Sequence, residues 1–332
     1  MLGASAESLC DAYDLAMLDL DGVVYIDGEA VPGARESLEL ARKSGMRLAY
    51  ITNNASRPAR VVADHLRDLG LQASEDDVVT SSQAAARLLA DRFGQGARIA
   101  LLGAAGLETA LRAAGLEPVP VDADAEALVS GYDPEAPWRN VMRAAVRIRD
   151  GLPWFATNTD MSFPTAYGSA PGHGVLVDML RRFSGVDPVV AGKPQRPLLE
   201  ETVRRVGGRR PLMVGDRLDT DIEGARNAEV DSLLVLTGVT GLAELVSATP
   251  GQRPTYVAPD LAGLNEPQPA PEGNGGSWRL GGWEARVGDG RVEVGGQGAA
   301  ADWWRVVAAA AWEHLDRSGD TARVEDLRAP GP

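Results

Sequence analysis

The chain has 332 residues, 44% hydrophobic and 24% charged, an ordinary globular composition and enough length to bury the cores of about two domains without disulfides or structural metal. Its 47 acidic against 33 basic residues leave a formal charge of -14, which repels a nucleic-acid backbone or an anionic bilayer and excludes a general nucleic-acid binder. The lone Cys10 offers no internal disulfide, the N-terminus reads as no secretion signal, and no apolar run nears the ~20 residues that span a bilayer, so a cytoplasmic, membrane-free protein is expected.

Residues 15–20, Leu-Ala-Met-Leu-Asp-Leu, form a nearly continuous apolar run that stops at Asp21-Gly22, the pattern of a strand buried on both faces. Ala34, Leu38 and Ala41 then recur at helical spacing up to Gly45, and a second apolar run over 46–52 ends in Asn53-Asn54. Strand, helix, strand predicts a parallel pair. Ser56 caps a further helix that carries Val62, Leu66 and Leu69 and closes at Gly70. Residues 82–185 alternate by themselves, with apolar runs at 99–103, 128–129 and 154–157 and helices up to 115 and over 138–149. That predicts a second α/β unit inserted into the first, placed as a lid over the sheet edge. Residues 211–216 and 231–237 supply two more buried strands around a helix near 221–229.

The expected fold is thus α/β, a doubly wound, Rossmann-like parallel sheet (1–81 with 186–264) whose ligands lie beyond the carboxyl ends of its strands. The inserted α/β domain occupies 82–185. Six prolines and glycines between 265 and 277 read as a linker. Beyond it a hairpin over 278–287 and 291–294, and a helix capped by Asp302 with Trp304, Ala308, Ala311 and Leu315 in one stripe, predict a small α+β domain over 278–332. Five of the seven tryptophans fall there, and we read them as core rather than as a cofactor box.

Asp19-Leu-Asp21-Gly22 sets two carboxylates two residues apart where a strand leaves the sheet. Neighbouring anions repel, so either a divalent cation shares the site or one acid keeps its proton; a plain acidic turn has the same sequence. Thr52, Asn53 and Asn54 end the second strand with a hydroxyl and amides, neutral donors suited to phosphoryl oxygens. Gly192-Lys193-Pro194 fixes a point charge that suits a phosphate. Asp216, in Gly215-Asp216-Arg-Leu-Asp219-Thr-Asp221, offers a hard oxygen for Mg²⁺ where another strand ends. Each segment alone is bland, but all four at strand ends or helix starts make one signature.

In this order the segments resemble the four motifs of the haloacid dehalogenase superfamily of aspartyl-phosphate phosphatases: Asp19-Leu-Asp-Gly-Val-Val-Tyr25, Thr52-Asn-Asn, Gly192-Lys193-Pro and Gly215-Asp216-Arg-Leu-Asp-Thr-Asp221. The resemblance spans residues 14–259. The inserted block takes the cap position of subfamily IIA, whose members act on phosphoglycolate, glycerol phosphate, pyridoxal phosphate, nucleoside monophosphates and 4-nitrophenyl phosphate. The stretches Asn-Asn-Ala-Ser56 and 215–224, with the Trp-rich extension, look most like the bacterial glycerol 3-phosphate phosphatases.

The resemblance implies that Asp19 is the nucleophile and Asp21 the general acid and base. Thr52, Asn53, Asn54 and Lys193 would hold the phosphoryl group. Mg²⁺ would be held by the Asp19 carboxylate, the Asp21 carbonyl and Asp216, with Asp221 behind them orienting Lys193 or a water. Phe163, in the cap loop 160–174, falls where the family places a substrate-selecting side chain, though it could equally be buried in the cap. His173 reads as a loop residue, and Asp219 as an acid at a helix start. The implied partner is a small phosphorylated metabolite, and the cap implies a homodimer. The other readings are a phosphomutase on the same scaffold and an idle phospho-ligand binder. Intact Asp19 and Asp21 speak against the latter.

Overall fold

Four apolar residues in a row leave Leu15–Leu18 no polar face, and all four are buried. In the computed structural model, which describes residues 1–165, 168–274 and 276–330, this strand runs parallel to Pro211–Gly215, with Leu15 opposite Pro211 and Leu18 opposite Val214. Pro211–Gly215 pairs in parallel with Asp231–Val235, and that strand with Tyr256–Ala258. These strands belong to the first of two compact units, Met1–Leu48 with Gly208–Pro332; the second is Ala49–Gly207. Because Leu15–Leu18 and Pro211–Gly215 are parallel neighbours, Asp19 and Asp216 leave the sheet at one rim, and the Asp19 amide still donates to the Val214 carbonyl at 2.9 Å.

The C-terminal part of the first unit differs from expectation in four ways. The run 278–287 is two strands, Ser277–Leu280 and Trp283–Gly288, because Gly281 and Gly282 both adopt positive φ (54° and 89°) and turn the chain between them. Together with Arg291–Gly296 and the short Glu272–Asn274 they form a four-stranded antiparallel sheet. The helix spans Ala300–Ser318, so Asp302 sits in its first turn rather than at its cap, paired with the buried Arg305 at 3.1 Å. Its buried side chains exceed the predicted stripe and include Trp303, Val306, Val307, Ala310 and Trp312, because it is covered on two sides.

One cover is the new sheet. The other is a cluster in which Ala308 and Trp312 meet Leu218, Ile222, Leu234, Leu245 and Val257, with the Trp312 indole donating to the Leu245 carbonyl at 2.7 Å. The predicted linker is also partly folded. Pro267–Gln268 pairs antiparallel with Ser5–Ser8, and the buried Gln268 accepts from the Arg305 guanidinium at 2.6 Å. Composition marked the prolines and glycines but not the acceptor that a buried arginine needs. Gly275 of that segment, and Gly331 and Pro332 of the extension, lie outside the described residues.

In the second unit, Arg47–Thr52, which enters it at Ala49, pairs in parallel with Val78–Thr80. A separate five-stranded sheet has the order Val189–Val190, Trp154–Ala156, Ala127–Ser130, Arg98–Leu102, Glu117–Val119, all parallel. This is the inserted α/β block. Helix Ser81–Phe93 packs on both Ala105–Ala113 and Pro197–Val206, so residues 49–81 and 186–207 group with the block, although 82 and 185 were the expected boundaries. The cap loop forms an antiparallel hairpin, Ser162–Thr165 with Gly168–Pro171, while Ala166 and Tyr167 lie outside the described residues. No helix among the described residues is long and apolar enough to cross a membrane.

Candidate active site

In the first unit the chain leaves Leu15–Leu18 at Asp19 and turns at Gly22, whose φ of 87° is open to few residues but glycine. A Cβ at Gly22 or at Gly238 would collide with the Asp216 carboxylate. Asp216 is fully buried, and its Oδ2 accepts the Val239 amide at 2.7 Å. The Thr237 hydroxyl donates to the Gly22 carbonyl at 2.5 Å and ties the two turns together.

Asp221 is also fully buried, and its Oδ2 accepts the amides of Asp216 and Arg217, both at 3.1 Å. This clamp explains Gly215, where a Cβ would strike Asp221. Asp219 points elsewhere. It is held by Arg217 in a two-pronged pair at 3.1 and 2.9 Å. Burial raises its carboxyl, but the Arg217 hydrogen bonds outweigh that and leave it below its ordinary pKa.

Carboxylate oxygens of Asp19, Asp216 and Asp221 lie within 4.8 Å of one another. Mg²⁺ binds oxygens at about 2.1 Å, which sets ligand oxygens about 3 to 4 Å apart, and three hard carboxylates in a glycine-walled recess fit that ion. Asp221, expected behind the metal, therefore stands among its candidate ligands. Asp21 is exposed and stands outside the carboxylate cluster.

The second unit holds the other motif residues. Thr52 ends Arg47–Thr52, and its hydroxyl accepts the Asn54 amide at 3.0 Å. Asn54 is exposed, and its side-chain oxygen accepts from the Ser56 amide and hydroxyl in a local turn. Asn53 is buried with a side chain largely committed: Oδ1 accepts the Lys193 amide at 2.8 Å, and Nδ2 donates to the Lys193 carbonyl and to Asp160 Oδ1, both at 3.0 Å. Sequence reasoning read it as a phosphate donor and missed that it braces residue 193.

Lys193 is only 2% exposed, an unusual burial for an ammonium, and precedes a cis peptide to Pro194. A Cβ at Gly192 would stand 2.6 Å from Asn53 Oδ1, so only glycine admits the brace. Phe163 is half-buried and stacks edge-on against Tyr132, with centroids 4.9 Å apart. His173 is not a loop residue but the buried first residue of helix His173–Ser184.

Residues 16–117 match the family described as haloacid dehalogenase-like hydrolase, and residues 190–264 match a second family of HAD-like hydrolases. Among curated proteins, the D-glycerol 3-phosphate phosphatase of Mycobacterium tuberculosis is 41% identical over 97% of this chain and 90% of its own length. The acid sugar phosphatase of Staphylococcus saprophyticus is 33% identical over 75% of this chain and 95% of its own. The crystal structure of the M. tuberculosis glycerol phosphate phosphatase in complex with magnesium superposes with a TM-score of 0.84 at 41% identity, covering 92% of each chain. That of the 4-nitrophenylphosphatase of Thermotoga maritima gives 0.72 at 32%, covering 77% of this chain and 98% of its own.

Proposed function

The chain belongs to the haloacid dehalogenase-like hydrolases, and we propose that within them it releases phosphate from glycerol 3-phosphate. It is a magnesium-dependent phosphoric monoester hydrolase acting on small phosphorylated substrates. One observation carries the substrate: the likeness to the M. tuberculosis D-glycerol 3-phosphate phosphatase runs through 97% of the chain, whereas the acid sugar phosphatase match covers 75%. A bulky apolar Phe163, stacked edge-on against Tyr132, supports a small substrate.

In this reading an Asp19 oxygen attacks phosphorus in line, the bond to the leaving alkoxide breaks, and an aspartyl-phosphate forms. Asp21 gives its proton to the alkoxide, then takes one from the water that cleaves the acyl phosphate. Its exposure beside the Gly22 turn supports that role. Asp19, the Asp21 carbonyl and Asp216 hold Mg²⁺, with Asp221 fixing the loop and adding its carboxylate, in keeping with the carboxylate cluster. Bound there, the ion offsets the charge of a phosphate dianion against these acids. Thr52 and Lys193 bind phosphoryl oxygens, Asn53 braces Lys193, and Asn54 shapes the turn after Thr52; the motif order supports this.

We also place the protein in the cytoplasm, in line with a buried, free Cys10. A homodimer through the inserted block completes the reading. Its support is a stripe at every fourth residue of helix Trp138–Arg149, where Trp138 is 63% and Met142 56% exposed and Val146 is exposed beside them.

The test is phosphate release from glycerol 3-phosphate, phosphoglycolate, pyridoxal phosphate and nucleoside monophosphates. We expect glycerol 3-phosphate to lead by about tenfold in kcat/KM, and Asp19→Asn or metal chelation to abolish release by roughly a thousandfold or more. Equal efficiency across the panel would make the enzyme a generalist, and activity in Asp19→Asn would remove the nucleophile.

A further inference from the structure

Asp160 belongs to none of the four motifs, yet hydrogen bonds tie it both to Asn53, which holds Lys193, and to helix His173–Ser184. Asn158 reaches both ways: its Nδ2 donates to the Asn53 carbonyl at 2.7 Å, and its Oδ1 accepts the Asp160 amide at 3.1 Å. The Asp160 carboxylate accepts one N–H of Asn53, whose other N–H and whose oxygen hold the two backbone groups of Lys193. This network also fixes the Asn53 amide orientation, since the reverse would set its oxygen against two acceptors.

On its far side the same turn is locked to helix His173–Ser184. The Gly174 amide donates to the Asp160 carbonyl at 2.8 Å and the Gly172 amide to Met161 at 2.9 Å. Neither glycine has room for a Cβ, which would collide with the Asp160 and Thr159 carbonyls. Two residues beyond Asp160 the hairpin that carries Phe163 begins.

We propose that Asp160 is a positioning residue for phosphoryl transfer: through Asn53 it sets where Lys193 stands, and it couples that placement to the hairpin bearing Phe163. The inference rests on the reading of Lys193 as a phosphate ligand. A carboxylate suits the task, because a charged acceptor holds an amide N–H more firmly than a neutral one and has no donor of its own to compete. The same link gives the hairpin a way to act on a lysine that it need not touch.

The experiment compares Asp160→Ala, Asp160→Asn, Asn53→Ala and the Asp160→Ala/Asn53→Ala double variant in KM, kcat and inhibition by inorganic phosphate. Expected are an approximately tenfold rise in KM and in the phosphate inhibition constant for Asp160→Ala, with a smaller change in kcat, and recovery of most of this in Asp160→Asn, which keeps an acceptor oxygen. In the Asn53→Ala background the Asp160→Ala effect should nearly vanish. Wild-type KM and phosphate inhibition in Asp160→Ala, independent multiplication of the two losses, or an Asp160→Asn as impaired as Asp160→Ala would each overturn the proposal. If Asp160→Ala does not fold, Asp160→Ser carries the same comparison. Lys193→Met separates the two levels: unchanged phosphate inhibition there removes the phosphate-ligand reading itself.

Discussion

His173 is buried with both ring nitrogens lacking a well-formed hydrogen bond, and burial lowers its pKa to about 4, opposed only in part by the Ser130 backbone. An unfolded histidine titrates near 6.5, so between these values the unfolded chain binds the extra proton and the native one does not. Stability is therefore full above about pH 6.5 and falls as the pH drops toward 4, by roughly 3 kcal/mol from this group. Urea midpoints across that range should show the slope, and His173→Leu should flatten it. An unchanged slope in that variant would mean that the imidazole is already paired. The same residue marks what single positions reveal in sequence. Asp19 and Asp216 could be read because strand ends give carboxylates a shared direction. His173 between two glycines looked like a loop, because nothing local shows that those glycines exist to let a helix start against the carbonyls of residues 159 and 160. Asp160 was equally silent: its partner, Asn53, is far away in the chain.

At the level of elements, the buried parallel strands were the most legible, since continuous apolar runs of four to six residues have few other uses. What pattern could not supply was the cover over the final helix. Trp312 was one of five tryptophans assigned to a core, but its neighbours Leu218 and Ile222 flank Asp219 and Asp221, in the turn that carries Asp221 of the carboxylate cluster. Trp312→Ala should cost about 3 to 5 kcal/mol in denaturant unfolding and also raise the Mg²⁺ concentration needed for half-maximal activity. Trp312→Phe should restore most of both, leaving the Leu245 carbonyl without its indole donor. A variant that loses stability at unchanged magnesium dependence would confine the helix to a scaffold role.

For the molecule as a whole, charge and composition said nothing of self-association. The stripe of Trp138, Met142 and Val146 emerges only once Val141, Ala144, Ala145 and Ile148 are seen to fill the inward face of the same helix. Sedimentation at micromolar concentration should give a dimer for the wild type and a monomer for Trp138→Asp/Met142→Asp, with kcat/KM measured in parallel. A dimer that survives both changes would place the contact on another surface. The two-unit division was legible only in outline, because a helix such as Ser81–Phe93 can serve either neighbour and sequence does not say which.

The first unit is assembled from both ends of the chain, Met1–Leu48 and Gly208–Pro332. During synthesis, Leu15–Leu18 emerges early and waits for Pro211–Gly215, and the turn bearing Asp221 then waits for Trp312. A ribosome-bound nascent chain accordingly exposes an apolar strand edge for most of translation. The turn bearing Asp221 gains its last packing partner only when the final helix is made.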